Sequence, residues 1–314
     1  MDERVSVLFS VPARRLDAAL AEALRGRGLT RSALRRLLDE GRVTLGGRAA
    51  RAAEPVRAGQ EALVLLPPPP SAEPFAADIP LPVLYEDAAC LVVDKPAGMV
   101  THPAKGHPEG TLVNALLGTG RPLSSGLERG RPGILHRLDK ETSGLVLVAK
   151  SDAAQAVLAR QFAARTVTKV YLALAWGGFE GETAVVEAPV GRDPRNRKRM
   201  AVVEGGRPSA TEFRVLERLP RATYLEARPR TGRTHQIRVH LAHLRHPIVG
   251  DVLYAGHPER GLASARLRTL VAGLGRFLLH AHRLEFDSPA ADRVAVESSL
   301  PPEFAAALEA FRNG

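Results

Sequence analysis

The chain has 314 residues, 45% of them hydrophobic and 25% charged, a globular mix that excludes wholesale disorder and leaves room for two domains. Forty-four basic against thirty-four acidic side chains leave a net charge of +10, and lysine occurs only at 95, 105, 140, 150, 169 and 198. Nearly all of that positive charge is therefore arginine, whose planar fork pairs with phosphate and points to a nucleic-acid partner.

No apolar run approaches the ~20 residues of a membrane-crossing helix, and Met1-Asp2-Glu3-Arg4 leads into no signal core. Cys90 is the single cysteine, which excludes an internal disulfide framework and a multi-cysteine zinc site. The expectation is a cytoplasmic monomer with no membrane partner, and with Cys90 in an apolar strand as a core residue.

In the N-terminal part, Leu16, Leu20, Ala23 and Leu24 share one helical face, and Gly26 and Gly28 stop that helix. A second helix starts at a cap supplied by Thr30 or Ser32, buries Leu34, Leu37 and Leu38, and ends at Gly41. Val43-Thr44-Leu45, a Gly46-Gly47 turn and Ala62 to Leu66 read as short strands. Residues 1–66 carry twelve arginines against eight acids, a net +4, with Arg31, Arg35 and Arg36 off the apolar face of the second helix. A solvated charged face accounts for those three as readily as RNA contact does.

Pro67-Pro68-Pro69-Pro70 can continue neither a helix nor a central strand, so a proline-rich linker is expected over 67–78. Beyond it, Val83-Leu84-Tyr85, Cys90 to Asp94, Gly144 to Ala149 and Val170 to Ala175 read as strands, the third buried on both faces. Thr111 to Leu117 reads as a helix, as does a segment capped at Ser151-Asp152 that turns Ala154, Val157, Leu158 and Phe162 inward. Strands in runs with interspersed helices predict an α+β fold rather than a doubly wound parallel sheet.

Phosphate-loop and dinucleotide signatures are absent, and His240-x-x-His243 lacks the His-Glu-x-x-His arrangement of a zinc hydrolase, so neither a cofactor nor a metal is expected. The densest polar segment runs from Gly133 to Gly144 and includes His136, Arg137, Asp139, Lys140 and Glu141 between apolar strands. An acid in such a loop, flanked by cations, is placed to act as base or nucleophile, although a surface ion-pair loop has the same composition. Arg192 to Arg199 adds Arg195, Arg197, Lys198 and Arg199, read as phosphate contacts in a loop.

Several motifs then fall in one order: Asp94-Lys95-Pro96-Ala97-Gly98-Met99-Val100, Gly110 to Ala115, Arg137-Leu138-Asp139, Lys169-Val170-Tyr171, Thr231 to His240, His246 to Asp251, and Leu278 to Ala281. Over about 80–303 this resembles the RluA-type pseudouridine synthases, nearest their RluD-like branch. Arg15-Leu16-Asp17, Leu29 to Ser32, Glu40 to Val43 and Val56 to Gln60 resemble the S-four-type RNA-binding domain, with Gly46-Gly47 where Asn-Gly is usual.

The resemblance implies a small N-terminal α/β RNA-binding module (1–66), the linker (67–78), a mixed, mainly antiparallel β-sheet catalytic domain of the pseudouridine synthase type (79–306) and a C-terminal tail (307–314). It implies cofactor-free isomerisation of uridine to pseudouridine in RNA, most naturally large-subunit ribosomal RNA. The alternative is a catalytically silent RNA-binding or ribosome-assembly protein. Asp139 would attack the anomeric carbon or remove the 2′ proton, Arg233 would pair with Asp139, and Tyr171 would stack on the uracil. Leu279, His136 and Arg238 would contact the substrate. Arg137 would fill the gap left by the flipped nucleotide, and Arg31, Arg35, Arg36, Arg195, Arg197, Lys198 and Arg199 would hold RNA.

Overall fold

The computed structural model describes residues 3–27, 29–66, 74–103, 107–125, 131–196 and 199–313. The chain divides into two compact units, Met1–Ala72 and Glu73–Gly314. In the first, strands β1 (Glu3–Leu8), β2 (Val43–Leu45), β3 (Arg48–Ala49) and β4 (Glu61–Leu66) form a sheet in the order β1-β4-β2-β3. Helices α1 (Leu16–Ala23) and α2 (Arg31–Asp39) share a core with it, built on Leu16, Leu20, Leu34, Leu37, Val43, Leu45 and Val64. Thr30 is the α2 cap, accepting the Ala33 N–H at 3.2 Å. Asp17, buried in this unit, accepts from Arg15 at 3.0 Å and from Arg31 at 3.1 Å, which ties the start of α1 to the start of α2.

Among the described residues the second unit is built on eleven strands: β5 (Val83–Glu86), β6 (Cys90–Lys95), β7 (Ser143–Ala149), β8 (Thr168–Trp176), β9 (Thr183–Glu187), β10 (Val190–Arg192), β11 (Met200–Val202), β12 (Ala210–Arg218), β13 (Ala222–Pro229), β14 (Leu279–Asp287) and β15 (Arg293–Glu297). Its helices are α3 (Leu112–Gly118), α4 (Asp152–Ala164), α5 (Gln236–His243), α6 (Val252–Ala255), α7 (Ala265–Gly273) and α8 (Pro302–Arg312). The main sheet runs β5-β6-β7-β14-β8-β13-β12-β9, with β15 added on β14, while β10 and β11 form a separate hairpin. Every pairing in it is antiparallel except β7 with β14, which meet in parallel at Ser143–His280 and Gly144–Ala281 alone. The α+β fold is what the strand runs predict, and the mixed, mainly antiparallel sheet is what the resemblance implies.

Strand β7 is buried along its whole length because both faces are covered. Leu145, Leu147 and Ala149 pack with Leu158 of α4, and Val146 and Val148 with Leu112 and Leu116 of α3. The largest core lies where β8 and β13 meet α5, α7 and α8. Cys90 is buried in β6, and burial pushes its thiol up to about 12, the behaviour of a core residue.

Two boundaries differ from expectation. Residues 307–314 are no tail: α8 continues to Arg312, and Ala307, Leu308 and Phe311 are core residues because they fall at helical spacing on the face that Phe304 begins. The expected linker overruns at its far end, since Asn114 donates to the Phe75 carbonyl at 2.8 Å and Ala77 donates to the Asn114 carbonyl at 3.0 Å. Gly118 permits this docking, because a Cβ there would sit 1.9 Å from the Ala77 carbonyl oxygen. Linker residues 67–73 lie outside the described residues. No helix among the described residues is long and apolar enough to cross a membrane.

Candidate active site

The loop carrying Asp139 is held from behind by the segment that follows β6. Lys95, fully buried, donates to the carbonyls of Pro96 at 2.9 Å, Met99 at 2.8 Å and Lys140 at 3.1 Å, spending all three ammonium protons. Gly98 N–H reaches the same Lys140 carbonyl at 2.9 Å, and the Thr101 hydroxyl donates to the Leu138 carbonyl at 3.0 Å. The backbone on either side of Asp139 is therefore pinned. Burial, helped by the Arg276 charge, pushes the Lys95 ammonium down to about 7.

Asp139 accepts from Arg238 Nη1 at 3.0 Å. Arg238 stands in the first turn of α5 and turns its other edge to Asp251, donating through Nε at 2.7 Å and Nη2 at 3.0 Å. Its guanidinium also lies 4.1 Å from the centroid of the Phe277 ring and 5.0 Å from that of Tyr254. Burial works against the Arg238 charge, but the hydrogen bonds and charges of Asp251 and Asp139 outweigh it and raise the pKa.

His235, at the cap of α5 with φ 57°, hydrogen-bonds through Nδ1 to the Tyr254 hydroxyl at 2.9 Å, and its Nε2 lies 3.9 Å from Asp139 Oδ2. Burial lowers the His235 pKa against the pull of Asp139. The Tyr254 hydroxyl in turn accepts the Met200 N–H at 3.0 Å, which joins the loop end of the β10–β11 hairpin to the site.

Asp139, His235 and Arg238 line a cavity of about 690 Å³ together with Tyr171, Leu279, His136, Arg137, Arg233 and Lys169. Tyr171 on β8 faces it with a phenol whose pKa is raised by burial and then by the Asp139 charge, so it stays protonated. Leu279 is buried at the start of β14, its carbonyl accepting from Arg276 at 3.0 Å. Arg137 is exposed at the cavity's edge.

The structure departs from two expectations here. Arg233 does not pair with Asp139; its Nε donates to the Pro208 carbonyl at 3.3 Å. Arg233 precedes the helix, and its side chain leaves in another direction, whereas the first turn of α5 aims Arg238 at the loop. His136 is less open to a ligand than its neighbours suggested. Its Nε2 accepts the Leu147 N–H at 3.0 Å and its ring stacks on Phe162 with centroids 5.1 Å apart. Burial, with the Lys169 charge nearby, pushes it down to about 3, so the ring is neutral.

The residues expected to hold RNA are spread over both units. Arg31 is engaged with Asp17 and Arg36 lies 3.7 Å from Glu40, while Arg35 is exposed and makes no ion pair among the described residues. Arg195 is exposed between β10 and β11, and Arg199 lies 3.6 Å from Asp193 with its guanidinium over the Tyr254 ring. Arg197 and Lys198 lie outside the described residues. Sequence reasoning gave no part to Asp251, Tyr254, Lys95 or Lys169. Asp251 ends the His246 to Asp251 motif, a signal that could have drawn attention to it.

Comparison with known proteins shows the family of the chain. A sequence model of the family described as RNA pseudouridylate synthase matches residues 89–243. The chain is 43% identical over 302 residues to a ribosomal large subunit pseudouridine synthase D of Nitrosomonas europaea, covering 95% of this chain and 85% of that one. A protein of the same description from Xanthomonas campestris is 43% identical, with 97% and 91% covered. Among solved structures, human RNA pseudouridylate synthase domain containing 1 superposes with a TM-score of 0.57 at 29% identity, over 77% of this chain and 90% of its own. Identity at this level over nearly the full length of both chains, with the matched segment running from β6 through the Asp139 loop to α5, means that the chain belongs to the RNA pseudouridylate synthase family.

Proposed function

We propose that this protein converts uridine to pseudouridine in large-subunit ribosomal RNA and that Asp139 is its essential carboxylate. The reaction breaks the bond from C1′ to N1, turns the uracil, forms a bond from C1′ to C5 and moves the C5 proton out to N1. It is an isomerisation with no change in oxidation state, so a carboxylate, proton-transfer groups and a site that holds the detached base suffice.

The observation that carries the reading is the Asp139–Arg238–Asp251 chain beside Tyr171 and Leu279 in one cavity. Arg238 holds Asp139 aimed through its Nη1 hydrogen bond, whether the carboxylate attacks C1′ or removes the 2′ proton. Tyr171 offers a flat face to the uracil and a protonated hydroxyl near its C5 edge. Leu279 closes the apolar side. A uridine must leave the RNA stack to enter, at a cost of a few kcal/mol, and the exposed Arg137 is suited to fill the gap. The Met1–Ala72 unit, with its helix pair on a sheet and exposed Arg35, serves as an additional RNA-binding module of the S-four type. The target is drawn from the description of the relatives at 43% identity.

The test is to incubate the protein with unmodified large-subunit RNA and map carbodiimide-adduct stops. Wild type should produce discrete stops at one or a few uridines and Asp139→Asn none, with RNA affinity retained. Turnover by Asp139→Asn at the normal rate would remove Asp139 from the mechanism. Absence of stops with wild type on any large-subunit RNA would remove the substrate.

A further inference from the structure

Lys169 and Tyr171 stand two residues apart on β8, and both line the cavity, yet isomerisation as described uses only Tyr171. Lys169 is half-buried, and burial lowers its pKa. Among the described residues it has no carboxylate in ion-pair range and no hydrogen-bond acceptor. A cation held in that way is costly unless an anion reaches it.

Its surroundings supply none. Asp139 is the one acidic side chain among the described residues that line the cavity, and Arg238 already engages it. Lys169 is instead close enough to His136 to lower that ring's pKa, and the Leu147 N–H occupies His136 Nε2, so the histidine proton sits on Nδ1. Arg165, which caps α4 in the left-handed region with φ 62°, lines the same cavity; burial first, and then the charges of Arg207 and Arg165, lower the pKa of Arg233. Arg137, Arg165, Lys169 and Arg233 all lack carboxylate partners among the described residues. A uracil ring and its ribose are neutral and have no use for four unmatched cations. The phosphodiesters that flank them do.

We propose that Lys169, with Arg165 and Arg233, is a phosphate seat within the cavity, binding the backbone phosphodiester beside the target uridine while its base lies against Tyr171. The seat rests on the reading of this cavity as an RNA site. It anchors the flipped nucleotide by its charge and so contributes to binding rather than to bond breaking.

The experiment uses an RNA stem-loop that wild type isomerises, made with a single neutral methylphosphonate at each phosphate within two nucleotides of the target. One substitution should weaken wild-type affinity about tenfold, the effect of losing one charge-assisted hydrogen bond. Lys169→Met should bind the unmodified RNA about tenfold more weakly, respond less than wild type to that same substitution and respond as wild type does to the others. Its log–log salt slope should be shallower by about 0.7–0.9, and its KM should rise with little change in the saturated rate. Lys169→Arg should restore both affinity and the methylphosphonate effect.

Because methionine removes an unpaired half-buried charge, Lys169→Met should melt no lower than wild type. An unchanged methylphosphonate profile and salt slope in that variant would overturn the seat, and so would a lowered melting temperature with uniform loss at every phosphate. If wild type isomerises no large-subunit RNA, salt slopes on a ten-nucleotide oligouridylate decide the seat separately: a shallower slope for Lys169→Met supports it, and equal slopes overturn it.

Discussion

Asp251 takes two of the three donor-bearing nitrogens of Arg238, Nε at 2.7 Å and Nη2 at 3.0 Å, and leaves Nη1 alone to reach Asp139. The pair is buried, and neither side chain can turn without leaving a charge unmatched. Asp251 therefore decides where the Arg238 guanidinium points.

Arg238→Lys should follow from that arrangement. An ammonium is a point donor and cannot span two carboxylates as a planar fork does. The single-turnover rate at saturating enzyme should fall on the order of 10²–10³-fold, the usual cost of losing one preorganised donor. Arg233→Lys should act chiefly on KM. Equal losses of saturated rate in the two variants would return Arg233 to the place beside Asp139. Asp251→Ala, which leaves a buried arginine with Asp139 as its one carboxylate, should lower unfolding stability by up to about 3 kcal/mol in denaturant titrations.

Tyr171→Phe should bind RNA as wild type does and fail to complete the reaction. The ring that faces the uracil survives, while the hydroxyl, kept protonated by burial and the Asp139 charge, is gone. Chromatography of nuclease digests should show no pseudouridine beyond about 1% of the wild-type yield, the scale on which general acid–base groups contribute. Full conversion would reduce Tyr171 to packing.

His136 makes stability depend on acidity in one direction. Burial pushes the folded-state pKa from 6.5 to about 3, so between those values the unfolded chain binds a proton that the folded chain refuses. Stability is therefore complete above pH 6.5 and declines as pH falls toward 3, by at most about 1.4 kcal/mol per pH unit for one proton. His136→Gln keeps an acceptor for the Leu147 N–H without the titration, and should flatten that decline. Urea midpoints at pH 5 and pH 7.5, followed by the fluorescence of the single tryptophan, Trp176, report on the same unit.

A fragment of residues 73–314 should retain the cavity and its chemistry. It should bind large RNA more weakly than the full chain, with a log–log salt slope reduced by about 0.7–0.9 for every phosphate that residues 1–72 neutralise in the full chain. Affinity and slope equal to those of the full chain would show that the Met1–Ala72 unit binds something other than this RNA.

Much of this was legible in the sequence. The strand runs, the Thr30 and Ser151 caps and the continuous apolar run of β7 identify their elements, because local patterning and burial agree there. The loop around Asp139 stands out by its density of charge. The partner of Asp139 does not, because Arg233 and Arg238 sit five residues apart in one motif and composition cannot say which faces inward. That depends on where α5 begins, and His235 starts it in a left-handed conformation that no sequence pattern announces. His136 misleads for a similar reason: an imidazole in a polar segment looks available until its nitrogen is found beneath the Leu147 amide. The end of α8 is easily missed because Phe304, Ala307, Leu308 and Phe311 carry their pattern into the last residues of the chain.

The parallel contact between β7 and β14 is two residues long, and the two sides of the cavity are attached to it. Asp139 lies just ahead of Ser143 on one side, and Leu279 just ahead of His280 on the other. The joint is braced by Ser143 Oγ to His280 Nδ1 at 2.9 Å and by Arg276, which donates at 3.0 Å to both Ser143 Oγ and the Leu279 carbonyl. At Gly144 a Cβ would come within 2.3 Å of the Ala281 carbonyl oxygen, so the two backbones are as close as a side-chain-free residue allows. The width of the cavity is thus set at a hinge pin outside its walls. An engineer wanting room for a bulkier base analogue would adjust the spacer at Gly144 and Ala281 and leave every residue that touches the nucleotide as it is.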